Sequence, residues 1–243
     1  MTLRLSTLAL LIVVAFSALG NLASARNEKI AAANSVTKPC VDGRTAPTVG
    51  FWTWPANTEV NIYLRQPDFS ASEVAFVQTA VENWDRALIE SGASVRFVFR
   101  GLTTKTRMAQ DEVTIIRSVV SDKNSRQRAI LEAHSRQRDQ FIDYALILVD
   151  PRVKNPATLT NVIAHELGHS LGLMDCYKCE GQSTAMVLLK RGDESNGIEG
   201  PTSCDTTKVS AAYAVLRPRN SAPASSLIVA QNKPQKNSTA GLR

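Results

Sequence analysis

Two histidines four residues apart, with a glutamate between them, carry the chemistry of this chain: His165, Glu166 and His169. On a helix such positions lie one above the other, so both imidazoles face one side and can share one metal ion. Glu166 is turned away by about 100° and cannot share that spot, but its carboxylate can reach a water bound to the ion. Zinc acidifies such a water towards neutrality, and a carboxylate beside it can take the proton and pass it to a leaving amine. A catalytic zinc usually has three protein ligands plus the water. Gly172 supplies a turn just past His169, and Asp175, three residues on, is carried back towards the metal as the third ligand. Asp193 and Glu194 are more distant alternatives, and Cys176 and Cys179 are nearer ones if reduced. The whole chain has three histidines, so finding two of them at this spacing is hard to assign to chance.

The elements that must position this group can be read from periodicity. The spacing predicts a helix over Thr158 to Leu171, capped by Thr158 or Thr160 and ended by Gly172. Ser70 to Ser91 reads as the longest helix. Its stripe is Val74, Val77, Val81, Trp84 and Leu88, Ser70 and Glu73 have capping-box spacing, and Gly92 stands at the end. Val60, Ile62 and Leu64 alternate with polar neighbours as a strand does. Val95 to Phe99, Val113 to Val120 and Tyr144 to Val149 are further strands, the last ended by Asp150 and Pro151. Asp122 to Gln140 fits either a helix or a hairpin containing a strand at Ala129 to Ala133, with its turn near Gln137. Thr206 to Leu216 is a last helix, with Val209, Ala212, Tyr213 and Leu216 on one face. This order suits an α+β domain.

The ends of the chain read differently. Arg4, the apolar run from Leu5 to Leu19 and the small residues Ala23 and Ala25 make residues 1–25 a signal peptide cleaved near Ala25, and so imply export. Residues 26–47 read as a linker or short pro-segment, 48–216 as the catalytic domain and 217–243 as a disordered tail. Net charge is +6, and removing Arg4 with the signal peptide leaves 27 − 22 = +5. The basic runs lack interleaved aromatics and no nucleic-acid motif is present, so they read as solvated faces. No later stretch is long and apolar enough to span a membrane. Four cysteines in an exported chain, Cys40, Cys176, Cys179 and Cys204, suggest two disulfides of unspecified pairing. Cys176 and Cys179 could instead form half of a structural zinc site, but Cys40 and Cys204 lack the paired spacing to complete it.

The pattern H-E-x-x-H-x-x-G-x-x-D from His165 to Asp175 resembles the metzincin zinc peptidases, in the variant of the snapalysin-like group with Asp as third ligand. The strand and Asp150-Pro151 ahead of the helix, and Asp175-Cys176 behind it, resemble bacterial matrixin-like exported proteins. The resemblance implies a twisted mixed sheet with a backing helix and a zinc-binding active-site helix. It implies Zn2+ as cofactor, Glu166 as catalytic base, and Met186 in a methionine turn beneath the metal, eleven residues past Asp175. Met174 is a poorer candidate for that turn. It also makes Tyr144 to Val149 a sheet edge that binds an extended substrate. There are departures: the third ligand is not the commoner His, and Leu188 stands where some metzincins carry an extra Tyr ligand. Lys38-Pro39-Cys40 is faintly similar to a matrixin cysteine switch without the rest of that signature, and a disulfide is the expected state of Cys40. The expected protein is a secreted, monomeric zinc endopeptidase acting on protein or peptide substrates. The alternatives are a non-catalytic zinc-binding module and a zinc amidase acting on cell-wall peptide.

Overall fold

The structure is a computed structural model that describes residues 39–50, 52–120, 127–135, 141–179, 182–187 and 200–216. The chain divides into two units, Met1–Pro39 and Cys40–Arg243, and the strands and helices named below all belong to the second. The segments expected as signal peptide (1–25) and tail (217–243), the turn near Gln137, Leu188, Asp193 and Glu194 lie outside the described residues.

The frame is α+β, with a five-stranded mixed sheet and three helices among the described residues. β1 (Thr58–Arg65) buries Val60, Ile62 and Leu64 and leaves the alternate residues at least partly accessible. α1 (Ala71–Glu90) begins at Ser70, whose capping box with Glu73 is formed in both directions, and it buries Val77, Ala80, Val81, Trp84 and Leu88. Gly92 follows with φ of 69°, where a side chain would be strained. β2 (Val95–Thr103) runs parallel to β1 and extends past the expected end at Phe99. It does so through a register shift at Arg100 and Gly101, where Gly101 has φ of 83°.

β3 (Glu112–Arg117) and β5 (Tyr144–Val149) continue the parallel set, and β4 (Ala129–His134) pairs antiparallel with β5. Of the two readings of Asp122 to Gln140, the hairpin strand is therefore the one formed. The sheet order is β2-β1-β3-β5-β4. This corrects the expected edge: β5 is hydrogen-bonded on both sides, and the edge strand beside it is β4, with β2 at the opposite edge. An apolar, β-branched run identifies a strand without identifying its neighbours, and pairing by a short, partly polar strand moved β5 inward.

α2 (Pro156–Ser170) packs against α1, β4 and β5, and Trp84 Nε1 donates to the Ala164 carbonyl at 2.8 Å between the two helices. Its cap is Asn155, whose Oδ1 accepts the Thr158 N–H at 3.0 Å, with Pro156 at the first helical position. Thr158 and Thr160 are thus inside the first turns and do not cap; Thr160 Oγ1 donates back to the Pro156 carbonyl. α3 (Ser203–Ala214) starts three residues before the expected Thr206, capped by Thr202 with Asp205 in a second capping box. Residues 40–46, read from sequence as linker, belong to the folded unit: Ala46 is fully buried, Asp42 pairs with Lys208, and Cys40 is bonded to Cys204.

Candidate metal centre

His165 and His169 occupy successive turns of α2, their rings perpendicular with centroids 4.7 Å apart. Each ring is oriented by a backbone carbonyl. His165 Nδ1 lies 2.9 Å from Ala185 O, and His169 Nδ1 lies 2.8 Å from Leu173 O. A carbonyl only accepts, so both Nδ1 atoms carry a proton, and in the neutral rings, the form that binds a metal, both Nε2 atoms present a lone pair. These lone pairs converge on Asp175 Oδ1, at 3.1 Å from His165 and 3.3 Å from His169. Zinc bonds of about 2.0–2.2 Å at tetrahedral angles place neighbouring ligand atoms roughly 3.3–3.5 Å apart, so the two measured separations are close to edges of that tetrahedron. The donor set and its spacing fit a divalent metal ion, and the three ligand atoms lie within 4.8 Å of one another.

The turn that returns Asp175 is built on glycine. Leu173 N–H donates to Gly168 O at 3.1 Å and Gly172 N–H to His169 O at 2.9 Å, the paired bonds of a Schellman ending. Gly172 has φ of 88°, and a Cβ there would lie 2.9 Å from both Trp52 O and Thr53 Cγ2. The returning chain is then stitched on two sides: Gly50 N–H to Gly172 O and Met174 N–H to Thr48 O on one, Cys176 N–H to Met186 O on the other.

Burial opposes ionisation of Asp175, yet without a metal the His165 and His169 rings, when protonated at Nε2, donate to it and draw its carboxyl far below the ordinary range. Glu166 is buried, and that burial pushes its carboxyl upward against the pull of His165 and His169, while the Leu131 N–H of β4 donates to it. Asp150 N–H donates to Arg128 O at 2.8 Å, which sets the phase of the β4–β5 ladder. By alternation the N–H and C=O of Ala129, Leu131 and Ala133 then point away from β5, as the Leu131 bond to Glu166 requires.

Met186 is fully buried directly under the helix: a Cβ added to Gly168, between the two histidines, would lie 2.3 Å from its Sδ. Met174 is half exposed and is not the residue beneath the site. The disulfides are Cys40–Cys204 and Cys176–Cys179, so no cysteine is available as a ligand, the half-site reading of Cys176 and Cys179 is excluded, and Cys40 is tied away from the metal.

Comparison with known proteins gives no matching family and no matching curated protein.

The group therefore stands on its own geometry, which also brings in residues that motif spacing missed. Tyr177 is largely exposed, and its hydroxyl donates to Asp175 Oδ2 at 3.2 Å, leaving Oδ1 to face the histidines. Asp205 accepts the Ala185 N–H at 2.9 Å; the capping-box spacing of Thr202 and Asp205 was a readable signal for the helix start, but not for this contact. Among the described residues no helix is long and apolar enough to cross a membrane.

Proposed function

We propose that this chain is a secreted zinc-dependent endopeptidase of the metzincin type. The observation that carries the reading is the convergence of His165 Nε2, His169 Nε2 and Asp175 Oδ1 beside a buried Glu166 that also touches the sheet edge. A site with three protein ligands is the open kind that catalysis uses, whereas structural zinc sites usually close with four. An aspartate in place of the commoner third His leaves this count unchanged.

Zinc bound there would supply a Lewis acid for the scissile carbonyl and an acidified water. His165, His169 and Asp175 would hold it. Glu166 accepts the proton of the attacking water and returns it to the departing amine. A carboxyl whose burial raises its hold on a proton suits a group that must both take and give that proton. The Leu131 N–H fixes the orientation of this carboxylate against β4. The outward groups of β4 other than the Leu131 N–H accept an extended peptide as one more strand, which supplies affinity without regard to side chains and predicts broad specificity. Two disulfides suit the export that the N-terminal sequence implies.

The test is hydrolysis of casein and a peptide library by zinc-loaded, chelator-treated and zinc-restored protein, alongside Glu166→Gln. Activity should vanish with the chelator and return with zinc, and Glu166→Gln should lose about 10²–10⁴-fold while keeping zinc. A folded, zinc-loaded wild type that cleaves no peptide bond would rule out the peptidase.

A further inference from the structure

Behind the metal centre lies a set of buried polar groups that peptide hydrolysis itself does not use. Asp205 is fully buried at the start of α3. Helix capping requires one of its oxygens: Oδ2 accepts the Thr202 N–H at 2.8 Å. Its other donors are the Thr202 hydroxyl, 3.0 Å from Oδ2, and the turn at 183–186. The Thr184 hydroxyl donates to Oδ1 in a very short contact, and the Ala185 N–H donates to Oδ2 at 2.9 Å. Thr184 Oγ1 in turn accepts the Met186 N–H at 3.0 Å, and the Thr202 hydroxyl lies 3.0 Å from the Ser183 carbonyl. Taking a carboxylate out of water costs several kcal/mol unless it is paired or fully hydrogen-bonded. Among the described residues no cation pairs with Asp205, so its burial is supported by donors alone, from Thr202 and from the turn at 183–186.

The Ala185 peptide joins this set to the metal ligands. Its N–H is held by Asp205 and its C=O by His165 Nδ1, 2.9 Å away. We infer that Asp205 is a positioning residue for the metal ligand His165, acting through the Ala185 peptide. A carboxylate on the N–H of an amide polarises it and leaves more negative charge on the carbonyl. That strengthens the hold on Nδ1–H, fixes the ring plane, and makes Nε2 a better donor. The backbone beneath Asp205 is itself anchored, because the preceding residue, Cys204, is bonded to Cys40. The inference rests on the metal-centre reading of His165, His169 and Asp175.

The experiment measures zinc release from the loaded full chain into a chromophoric chelator, and the visible spectrum of the Co2+-substituted protein. The variants are Asp205→Asn, Asp205→Ala and the control Tyr213→Phe, in which α3 loses the hydroxyl that accepts the Trp54 N–H at 3.1 Å. Asp205→Asn keeps shape and an acceptor but loses the charge. Partners of metal ligands typically contribute 10–100-fold in affinity. Release should therefore quicken by about tenfold in Asp205→Asn and about a hundredfold in Asp205→Ala, with a shifted Co2+ band in both. Tyr213→Phe should lower the melting temperature without changing release or spectrum. If Asp205→Asn, folded by circular dichroism, releases zinc at the wild-type rate with an unchanged Co2+ spectrum, Asp205 is a helix cap only and the inference fails; this holds even if Asp205→Ala does not fold. A wild type that binds no metal overturns the metal-centre reading beneath it.

Discussion

Gly168→Ala separates two effects of opposite sign. Gly168 is a mid-helix residue, and alanine there should stabilise α2 by about 0.8–1 kcal/mol through backbone entropy alone. The new Cβ, however, would stand 2.3 Å from Met186 Sδ, against an ordinary contact of 3.4–4 Å, so the thioether must retreat by more than 1 Å. Trp84 Cζ2, 3.3 Å from the same Cβ position, further limits the room for the methyl. Met186 is fully buried, and overpacking of this kind costs about 1–3 kcal/mol. The clash should outweigh the gain, with a net destabilisation of up to about 2 kcal/mol. Met186→Ala alone empties the hollow and should cost about 2–5 kcal/mol. In the double variant the clash is gone, the new methyl fills part of the hollow and the helix keeps its gain. It should be more stable than the sum of the singles by at least about 1 kcal/mol. Urea unfolding of the four metal-free proteins, with equal m values, closes the cycle. Additivity within about 0.5 kcal/mol would refute the claim that this methionine sits in the glycine's hollow.

Tyr177→Phe removes the hydroxyl on Asp175 Oδ2 and should weaken zinc binding by about 2–10-fold, the worth of a modest hydrogen bond, in a competitive chelator titration. Asn155→Ala should lower stability by about 1 kcal/mol in urea unfolding, whereas Thr160→Ala should not, because the cap is Asn155. Glu73 tests the pH dependence. Burial opposes its ionisation, but the Ser70 N–H and hydroxyl and Arg117 draw its carboxyl below the ordinary value. Its contribution is therefore present above the unfolded value of about 4.3 and is lost as pH falls through the lower folded one. The melting temperature of Glu73→Gln should accordingly fall less steeply than that of wild type below about pH 4.

Local signals were legible in the sequence and non-local ones were not. α1 was readable because its stripe and its capping box are both written within one segment. The convergence of His165, His169 and Asp175 was readable for the same reason: the short stretch that contains them also holds the end of the helix and the glycine turn. The start of α2 was misplaced because two threonines competed with Asn155, although a proline right after an Asn is the stronger signal. The position of β5 was not legible. What made it interior is β4, most of whose residues are only half-buried and whose strand character depends on its partner. The pairing of Cys40 with Cys204 spans 164 residues, and the contact of Asp205 with Ala185 spans 20, so neither leaves a local pattern.

The Cys40–Cys204 bond also turns the folded unit into a covalent ring. A single cut anywhere between those residues opens the ring without detaching either piece. Proteolytic nicks in surface loops, whatever protease makes them, remain silent under this arrangement. The nicked molecule migrates as one species until it is reduced, and its two fragments stay at an effective concentration that keeps the sheet and the helices together. Trimming upstream of Cys40, by contrast, lies outside the ring and sheds its fragment at once. Length heterogeneity on a non-reducing gel would thus report processing of the amino terminus or of the chain beyond Cys204, while internal wear would become visible only after thiol treatment.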